Sequence, residues 1–328
     1  MINAIKFAIE EIEASDQYFD HTSISMRPTA PSIRLRQWCV GFAAILIAVT
    51  LAVAGRAQTA TNGLIMLIEF EKIEGVRHWE RELDQRGLTA LIQAQHNVLK
   101  EYPKDFERLA KKGYPITGLY AEKPFWDVPY DEQYARMREE KEAVERITLK
   151  PMRLFGSRYF AYDENTLRAA DALGIEYVLG RGTAGALATI YSPHEYKAKI
   201  ISVSNVPFAE MGTGSFCDYS LWARGSTDQD FAALVEKVIT SKLSDLIFVS
   251  HAYLGGMSVQ WWRTYENALA RNEVKWRGFD EWVRNVKVRE LPYAEIPVNR
   301  EVKYEVPRPA VPLEKLELLP DLLRGDSR

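Results

Sequence analysis

The apolar run Leu64-Ile-Met-Leu-Ile-Glu69 is followed by a charged segment that reaches Gly87 and then by a second short run, Thr89-Ala-Leu-Ile-Gln-Ala94. From here onward, short apolar runs alternate with longer amphipathic segments. This order is typical of strand–helix units, in which each strand is followed by a helix that covers the sheet. The opening stretch therefore predicts an α/β fold with a parallel sheet.

The same alternation continues along the chain and predicts seven strands. Their expected positions are residues 64–69, 89–94, 115–119, 153–155, 177–179, 200–203 and 246–250. Seven strands suit a barrel better than a sandwich. In a barrel of strand–helix units the functional residues follow the ends of the strands, so we look for them there.

Several residues mark helix ends between these strands. Gly87, Gly113 and Gly174 each stand where a left-handed residue is expected just past a helix. Thr227-Asp228-Gln229-Asp230 before an apolar run is typical of a capping box, and another helix is expected to start at Asp163. The segment at 180–199 is a long connection that breaks the alternation.

Composition narrows the class of protein. The chain has 328 residues, 47% hydrophobic and 27% charged residues, and a net charge of -3, which predicts one large folded domain with appendages. With no basic excess, nucleic acid is excluded as a partner. The two cysteines, Cys39 and Cys217, are not expected to form a disulfide, and no cysteine or histidine cluster has the spacing of a zinc site.

Residues 38–54 form an uncharged apolar run, with Arg34 and Arg36 before it and Gly55-Arg56-Ala57 after it. This pattern predicts a signal peptide or signal anchor at 38–57, with a buried core helix as the alternative. Residues 1–37 are a polar tail or an extended n-region. We expect the remainder to be exported: periplasmic, extracellular, or anchored to the cytoplasmic membrane and facing outward.

The C-terminal residues differ in composition from the rest. The segment 291–328 contains six of the fifteen prolines, with charged residues between them. Proline fixes φ and lacks a backbone donor, so we expect an extended, poorly packed tail whose removal leaves the domain folded. The predicted folded domain spans residues 60–290.

Six segments occur in an order that resembles the polysaccharide deacetylase (NodB homology) family. They are Leu64-Ile-Met-Leu-Ile-Glu-Phe-Glu, Arg86-Gly-Leu-Thr-Ala-Leu, Lys112-Gly-Tyr-Pro-Ile, Tyr159-Phe-Ala-Tyr-Asp-Glu-Asn-Thr-Leu, Leu173-Gly-Ile-Glu-Tyr-Val and Phe248-Val-Ser-His. The resemblance covers about residues 63–282. It implies a distorted (β/α)7 barrel in which an aspartate and two histidines hold a metal, a second aspartate acts as base, and a histidine near the last strand acts as acid. It also implies hydrolysis of N-acetyl groups on sugar polymers.

The family's catalytic residues are only partly present. Phe70-Glu71-Lys72 replaces the paired aspartates, or Glu69 and Glu71 do so if the register shifts, and Glu71 is common to both alignments. Leu119 and Lys123 stand near the positions of the metal histidines. Because the metal histidines are missing, we expect no cofactor, and a divalent metal such as zinc only if the site is rearranged.

Two more positions complete the comparison. The family's arginine falls at Gly156, with Arg158 two places along, and the histidine of the last strand is His251. The resemblance thus implies Glu71, His251 and Arg158 as the catalytic candidates.

Each candidate also has a structural interpretation. Glu71 can pair with Lys72 or Arg77, and His251 can be a core histidine. His96 follows the second strand and is a possible partner of Glu71 and His251 in a replacement site. Trp126 and Trp222 are candidates for stacking on sugar rings, although aromatic side chains more often fill a core.

Three hypotheses follow. The first is a deacetylase-like domain that binds or processes N-acetylated glycan or cell-envelope polysaccharide and is catalytically weak or inactive. The second is an active hydrolase of carbon–nitrogen amide bonds with a rearranged site. The third is a structural protein of envelope assembly.

Overall fold

The first strand shows how the sequence divides the core. In the computed structural model, which describes residues 60–69, 72–182, 188–207, 213–241, 244–297 and 311–320, every residue of this strand is buried. Side chains alternate along a strand. Leu64 and Met66 therefore join one apolar cluster, whereas Ile65 and Leu67 join another.

The described strands and helices alternate along most of the chain. The strands are β1 (Thr61–Glu69), β2 (Leu91–Ala94), β3 (Ile116–Tyr120), β4 (Leu154–Ser157), β5 (Tyr177–Arg181), β6 (Thr189–Pro193), β7 (Lys199–Val203), β8 (Asn205–Pro207), β9 (Thr213–Ser215), β10 (Asp245–His251), β11 (Val274–Arg277) and β12 (Val288–Leu291). The helices are α1 (Ile73–Gln85), α2 (His96–Glu101), α3 (Pro103–Lys111), α4 (Tyr130–Thr148), α5 (Glu164–Leu173), α6 (Asp218–Trp222), α7 (Asp228–Thr240), α8 (Ala252–Gly255), α9 (Val259–Leu269) and α10 (Phe279–Asn285).

Seven of the strands form a parallel sheet in the order β10-β1-β2-β3-β4-β5-β7. These are the seven strands predicted from the sequence, displaced by at most three residues at either end. The predicted α/β barrel class is therefore confirmed. Because the strands are parallel, the carboxyl ends of all seven strands lie at the same end of the barrel.

The sheet is joined between its first and last strands, β10 and β7, by a segment that is not a regular strand. The N–H of Phe216 donates to the Ser204 carbonyl at 2.9 Å, and the N–H of Val249 in β10 donates to the Phe216 carbonyl at 3.0 Å. Cys217 also makes a parallel bridge to Val249. This junction makes the barrel distorted, and it places residues 217 and 218 beside the end of β10.

Two apolar clusters lie on the two faces of the sheet. The inner cluster contains Leu64, Leu119 and Ile247 from separate strands, together with Phe279 and Trp282 of α10. The indole of Trp282 donates to the Asn62 carbonyl at 3.1 Å, so α10 covers the amino ends of the strands. The barrel is therefore filled and closed at that end, and its carboxyl end is the place for a site.

Several short strands were not predicted. Within the long connection at 180–199, β6 pairs antiparallel with β7 and parallel with β12. β11 pairs with the first half of β1, and β8 pairs with β9. These are edge or peripheral strands, whose partly exposed residues lack the continuous apolar run that identifies a central strand.

The predicted helix ends are confirmed. Gly87, Gly113 and Gly174 have φ values of +64°, +96° and +68°, so each takes the left-handed conformation expected after a helix. Thr227 caps α7 and Asp163 caps α5, each through reciprocal hydrogen bonds with the third helical residue.

The expectation of a poorly packed C-terminal tail is wrong for its described part. Tyr293, Ile296 and Leu319 are buried in the core. The N–H of Leu319 donates to the Met257 carbonyl at 2.8 Å. The alternating prolines and charges hide these contacts because the segment is held by backbone hydrogen bonds and single apolar side chains, without a helical or strand period.

The predicted signal segment at 38–57 lies outside the described residues. Among the helices that the structure describes, none has both the length and the apolar character needed to cross a membrane.

Candidate functional site at the carboxyl end of the barrel

His251, a predicted catalytic residue, is the last residue of β10 and lies beside Ile68 of β1. Its backbone N–H donates to Oδ1 of Asp218 at 2.9 Å, and its ring Nδ1 lies 3.4 Å from the same oxygen. The His251 side chain is 12% exposed, whereas Asp218 is completely buried. The imidazole is thus held at the end of the barrel by a carboxylate beneath it.

Asp218 is fixed by several donors. Its Oδ1 also accepts the N–H of Tyr219 at 2.6 Å, and its Oδ2 accepts the hydroxyl of Ser250 at 3.0 Å. The Ser250 oxygen in turn accepts the indole N–H of Trp79 at 3.2 Å. Burying a carboxylate costs free energy unless it accepts hydrogen bonds. The donors around Asp218 supply these hydrogen bonds.

Cys217 completes the group. Its Sγ is buried, accepts the N–H of Ser220 at 3.2 Å, and lies 3.0 Å from the Ser220 hydroxyl. One ligand atom each of Cys217, Asp218 and His251 lie within 4.8 Å of one another. Burial lowers the pKa of His251, but hydrogen bonds that its ring donates to Asp218 and Cys217 outweigh this effect and raise the pKa to about 9. At neutral pH this imidazole therefore holds a proton.

Aromatic rings cover the group on one side. The Tyr219 ring lies 4.6 Å from the His251 ring at an angle of 31°, and the Trp222 ring lies 5.6 Å from Tyr219. Trp222, a predicted sugar-stacking residue, donates its indole N–H to the Val311 carbonyl at 2.7 Å. The half-buried Trp222 is thus next to the site, although part of its polar edge is used by the C-terminal segment.

Arg158 lies at the end of β4, where the backbone is strained. Its guanidinium contacts the carbonyls of Ala121 and Glu122 at 3.4 and 3.3 Å and lies 5.1 Å from the Tyr159 ring. Tyr159 and Phe160 have φ values of +61° and +56°. Consecutive residues of this kind are costly in the left-handed region and are found most often at functional sites.

Trp126 and Glu71 are the remaining candidates. Trp126 is half-buried on the loop after β3, next to Phe125, whose ring is buried against Phe155. Glu71 lies outside the described residues. Its neighbour Glu69 is buried and accepts the N–H of Lys72 at 2.8 Å, which is a structural role at the end of β1.

The residues at the family's metal-ligand positions do not fit a metal. Leu119 is packed in the inner apolar cluster, and the ammonium of Lys123 pairs with Glu132. The Gln93 side-chain amide lies where a Cβ at position 156 would be, so the family's arginine would fit at Gly156 only if Gln93 moved. That amide donates to the Gly156 carbonyl at 2.8 Å and fills the space.

The predicted partnership of His96 with His251 is not present among the described residues. His96 Nδ1 lies 2.9 Å from Oε1 of Glu140 on α4. The group of ligand atoms close enough to share a metal contains Cys217 and Asp218 instead. Burial raises the pKa of Glu140 to about 7, and the hydrogen bond from His96 opposes that rise.

Sequence reasoning found His251 but missed Asp218 and Cys217. His251 ends an apolar strand, which is a visible position. Asp218 lies 33 residues earlier, in a segment with no strand or helix period, and the backbone bridge between Cys217 and Val249 brings it to His251. The available signal was only a polar pair just before the short run Tyr219-Ser220-Leu221-Trp222.

Comparisons with known proteins identify solved structures that have a similar fold. No family model matches the chain, and no curated protein matches it. Its structure is similar to that of a putative polysaccharide deacetylase from Mycobacterium smegmatis, with 11% identity, a TM-score of 0.55, and coverage of 73% of this chain and 96% of that one. A probable polysaccharide deacetylase from Pseudomonas aeruginosa gives 11% identity, a TM-score of 0.54, and coverage of 69% and 91%.

A third similar structure is a mutant of a CE4-family pseudoenzyme with restored enzymatic activity, from Bacillus anthracis. It gives 10% identity, a TM-score of 0.50, and coverage of 70% of each chain. At these identities the likeness is one of fold. This chain therefore has the barrel fold of the polysaccharide deacetylases.

Proposed function

We propose that the domain binds N-acetylated glycan at the carboxyl end of its barrel and hydrolyses it weakly or not at all. The fold shared with polysaccharide deacetylases supports the class of ligand. The observation that carries the loss of hydrolysis is the pair of residues at the metal-ligand positions, Leu119 in the inner cluster and Lys123 paired with Glu132.

These two residues argue against hydrolysis because neither can hold the metal that the reaction needs. Release of acetate from an amide needs a nucleophilic water at neutral pH, and a divalent metal supplies it by stabilising hydroxide. A leucine has no donor atom, and a protonated lysine repels a cation. A proton donor such as His251 contributes little without the nucleophile.

The remaining residues suit binding. The His251 side chain is 12% exposed at the end of β10, and an imidazole N–H can donate to the carbonyl oxygen of an acetamido group. The aromatic rings of Tyr219, Trp222 and Trp126 offer apolar faces to a sugar. A polymer needs several such contacts along its length, and these rings come from two separate segments, the helix α6 and the loop after β3.

Two measurements on the full-length chain test this function. Calorimetric titration with oligomers of N-acetylglucosamine should show binding, and acetate release should stay near the uncatalysed background. Trp126→Ala should weaken binding several-fold. Leu149→Ala, at the amino end of the sheet, is the matched control and should leave it unchanged. Absence of binding would contradict the proposal that the domain binds glycan. Acetate release well above background would contradict the proposal that it is weakly active or inactive.

A second candidate function is an active amide hydrolase with a rearranged site. The convergence of Cys217, Asp218 and His251 favours it, because these residues bring three metal-ligand types to the end of the barrel. Acetate release that a chelator abolishes and that His251→Ala also abolishes would favour this function over the first.

We further propose that the domain is exported. The uncharged run at 38–54, preceded by Arg34 and Arg36, supports this location. Alkaline phosphatase fused after residue 328 should be active in cells, since it needs an oxidising compartment to form its disulfides. Activity of a cytoplasmic reporter alone would overturn the proposal.

A further inference from the structure

We propose that Cys217, Asp218 and His251 bind one thiophilic divalent cation of the zinc class. An imidazole nitrogen and a cysteine sulfur ligate a metal only when deprotonated, so the cation displaces their protons to solvent as it binds. This position differs from the one that the family resemblance indicates, since none of the three corresponds to Leu119 or Lys123. The ligand atoms of the three residues lie within 4.8 Å of one another, and Nδ1 of His251 is 3.4 Å from Oδ1 of Asp218.

The types of ligand select the metal. A thiolate, an imidazole and a carboxylate together suit zinc, whereas magnesium and calcium prefer oxygen ligands alone. Three protein ligands also leave a fourth tetrahedral position for water or another small ligand. The site is therefore expected to discriminate against hard cations.

The ligands are oriented by a surrounding layer of hydrogen bonds, as metal ligands usually are. The carboxylate of Asp218 receives the N–H groups of Tyr219 and His251 on one oxygen and the Ser250 hydroxyl on the other. Trp79 holds that hydroxyl in place. Little reorganisation of Asp218 is needed for it to meet a cation.

Cys217 is positioned in the same way. Its Sγ accepts the N–H of Ser220, and its backbone is fixed by the bridge to Val249 of β10. Cys217 and Asp218 are buried, and the His251 side chain is 12% exposed. The geometry thus provides a fixed ligand set.

The competing explanation is that the three residues only share protons. A buried thiol, carboxylate and imidazole linked by hydrogen bonds form a stable group without any cation. The two explanations differ in whether the sulfur becomes bonded to a metal. A spectroscopic signal from that bond separates them, independently of any catalytic activity.

The experiment uses the full-length chain carrying Cys39→Ser, in which Cys217 is the only thiol. Titration with Co²⁺ should saturate at one ion per chain and give a thiolate-to-cobalt charge-transfer band in the near ultraviolet. Added Zn²⁺ should displace the cobalt and remove the band. Zinc analysis of the protein as purified should show a substantial fraction of one equivalent.

Variants locate the site. Cys217→Ser should abolish the band, and Ser250→Ala should lower the affinity for cobalt about tenfold by releasing Asp218. His96→Ala is the matched control, because His96 follows β2, which β1 separates from β10, and pairs with Glu140. Far-ultraviolet circular dichroism confirms that each variant is folded.

Two results would overturn the inference: the parent protein shows no thiolate band on saturation, or the band survives in Cys217→Ser. Neither result depends on glycan. Failure of the cation site and failure of the proposed glycan binding are therefore recognised separately.

Discussion

The Asp218 carboxylate holds both the backbone and the ring of His251. Its Oδ1 accepts the backbone N–H at 2.9 Å and lies 3.4 Å from the ring Nδ1. One side chain thus sets where β10 ends and also how the imidazole is oriented. The completely buried carboxylate also stabilises the carboxyl end of the barrel, because it accepts hydrogen bonds from Tyr219, Ser250 and His251.

Replacing this carboxylate by an amide should destabilise the protein. In Asp218→Asn, an NH₂ donor replaces either Oδ1, which accepts the N–H groups of Tyr219 and His251, or Oδ2, which accepts the Ser250 hydroxyl. We expect a loss of about 2–3 kcal/mol, the usual cost of unsatisfied buried polar groups. Urea unfolding of the variant measures it.

The matched control is Asp280→Asn. Asp280 pairs with Arg153 on the surface, where an ion pair contributes little. Its effect should stay within about 0.5 kcal/mol. Equal stability of the two variants would show that the hydrogen bonds to Asp218 do not stabilise the barrel.

The fold was largely predictable because the central strands are short apolar runs between capped helices. β10 is an example: five of its seven residues are buried, and the run stands out in the sequence. β12 was not predicted, because three of its four residues are exposed. An edge strand forms because it pairs with a neighbouring strand, and its own sequence need not show an apolar or alternating pattern.

The site was less predictable, because its residues come together through contacts that no local period encodes. His251 was recognised from its position after a strand. Cys217 and Asp218 reach it only because Phe216 takes the place of a strand between β7 and β10. A hydrogen-bonded junction between distant segments leaves no pattern in a single sequence.

Glu140 should make stability depend on pH. Burial raises its pKa from 4.5 to about 7, and the nearby His96 opposes the rise while Glu139 adds to it. The folded state therefore binds an extra proton between these pH values. The contribution of Glu140 to stability is therefore complete below about pH 4.5, and it falls by about 3 kcal/mol as pH rises through 7.

Glu140→Gln tests this linkage, because the amide does not titrate. Urea unfolding at a series of pH values should show a smaller decline for this variant than for the wild type. Glu142→Gln, exposed on the same helix, should keep the wild-type slope. A wild-type stability that rises from pH 5 to 8 in step with the Glu142→Gln variant would contradict the assignment to Glu140.

Leu149 offers a site for stabilisation. It follows α4 with φ of +55° and ψ of +27° and is 79% exposed. A left-handed residue with a Cβ costs about 1 kcal/mol relative to glycine. Leu149→Gly should therefore raise the free energy of unfolding by about 1 kcal/mol. Leu149→Ala, which keeps the Cβ, should not, and equal gains from both variants would show that the exposed side chain is responsible.

The C-terminal segment should contribute to stability through Leu319. This residue is 8% exposed, and its N–H donates to the Met257 carbonyl at 2.8 Å. Leu319→Ala removes buried apolar surface, and we expect a loss of about 2 kcal/mol. Its neighbour Leu318 is 37% exposed, so Leu318→Ala should change stability by less than about 0.5 kcal/mol. Urea unfolding, with limited proteolysis of the last residues, distinguishes the two. If neither substitution lowers the free energy of unfolding, the segment lies on the domain without stabilising it, and deleting it would leave the barrel intact.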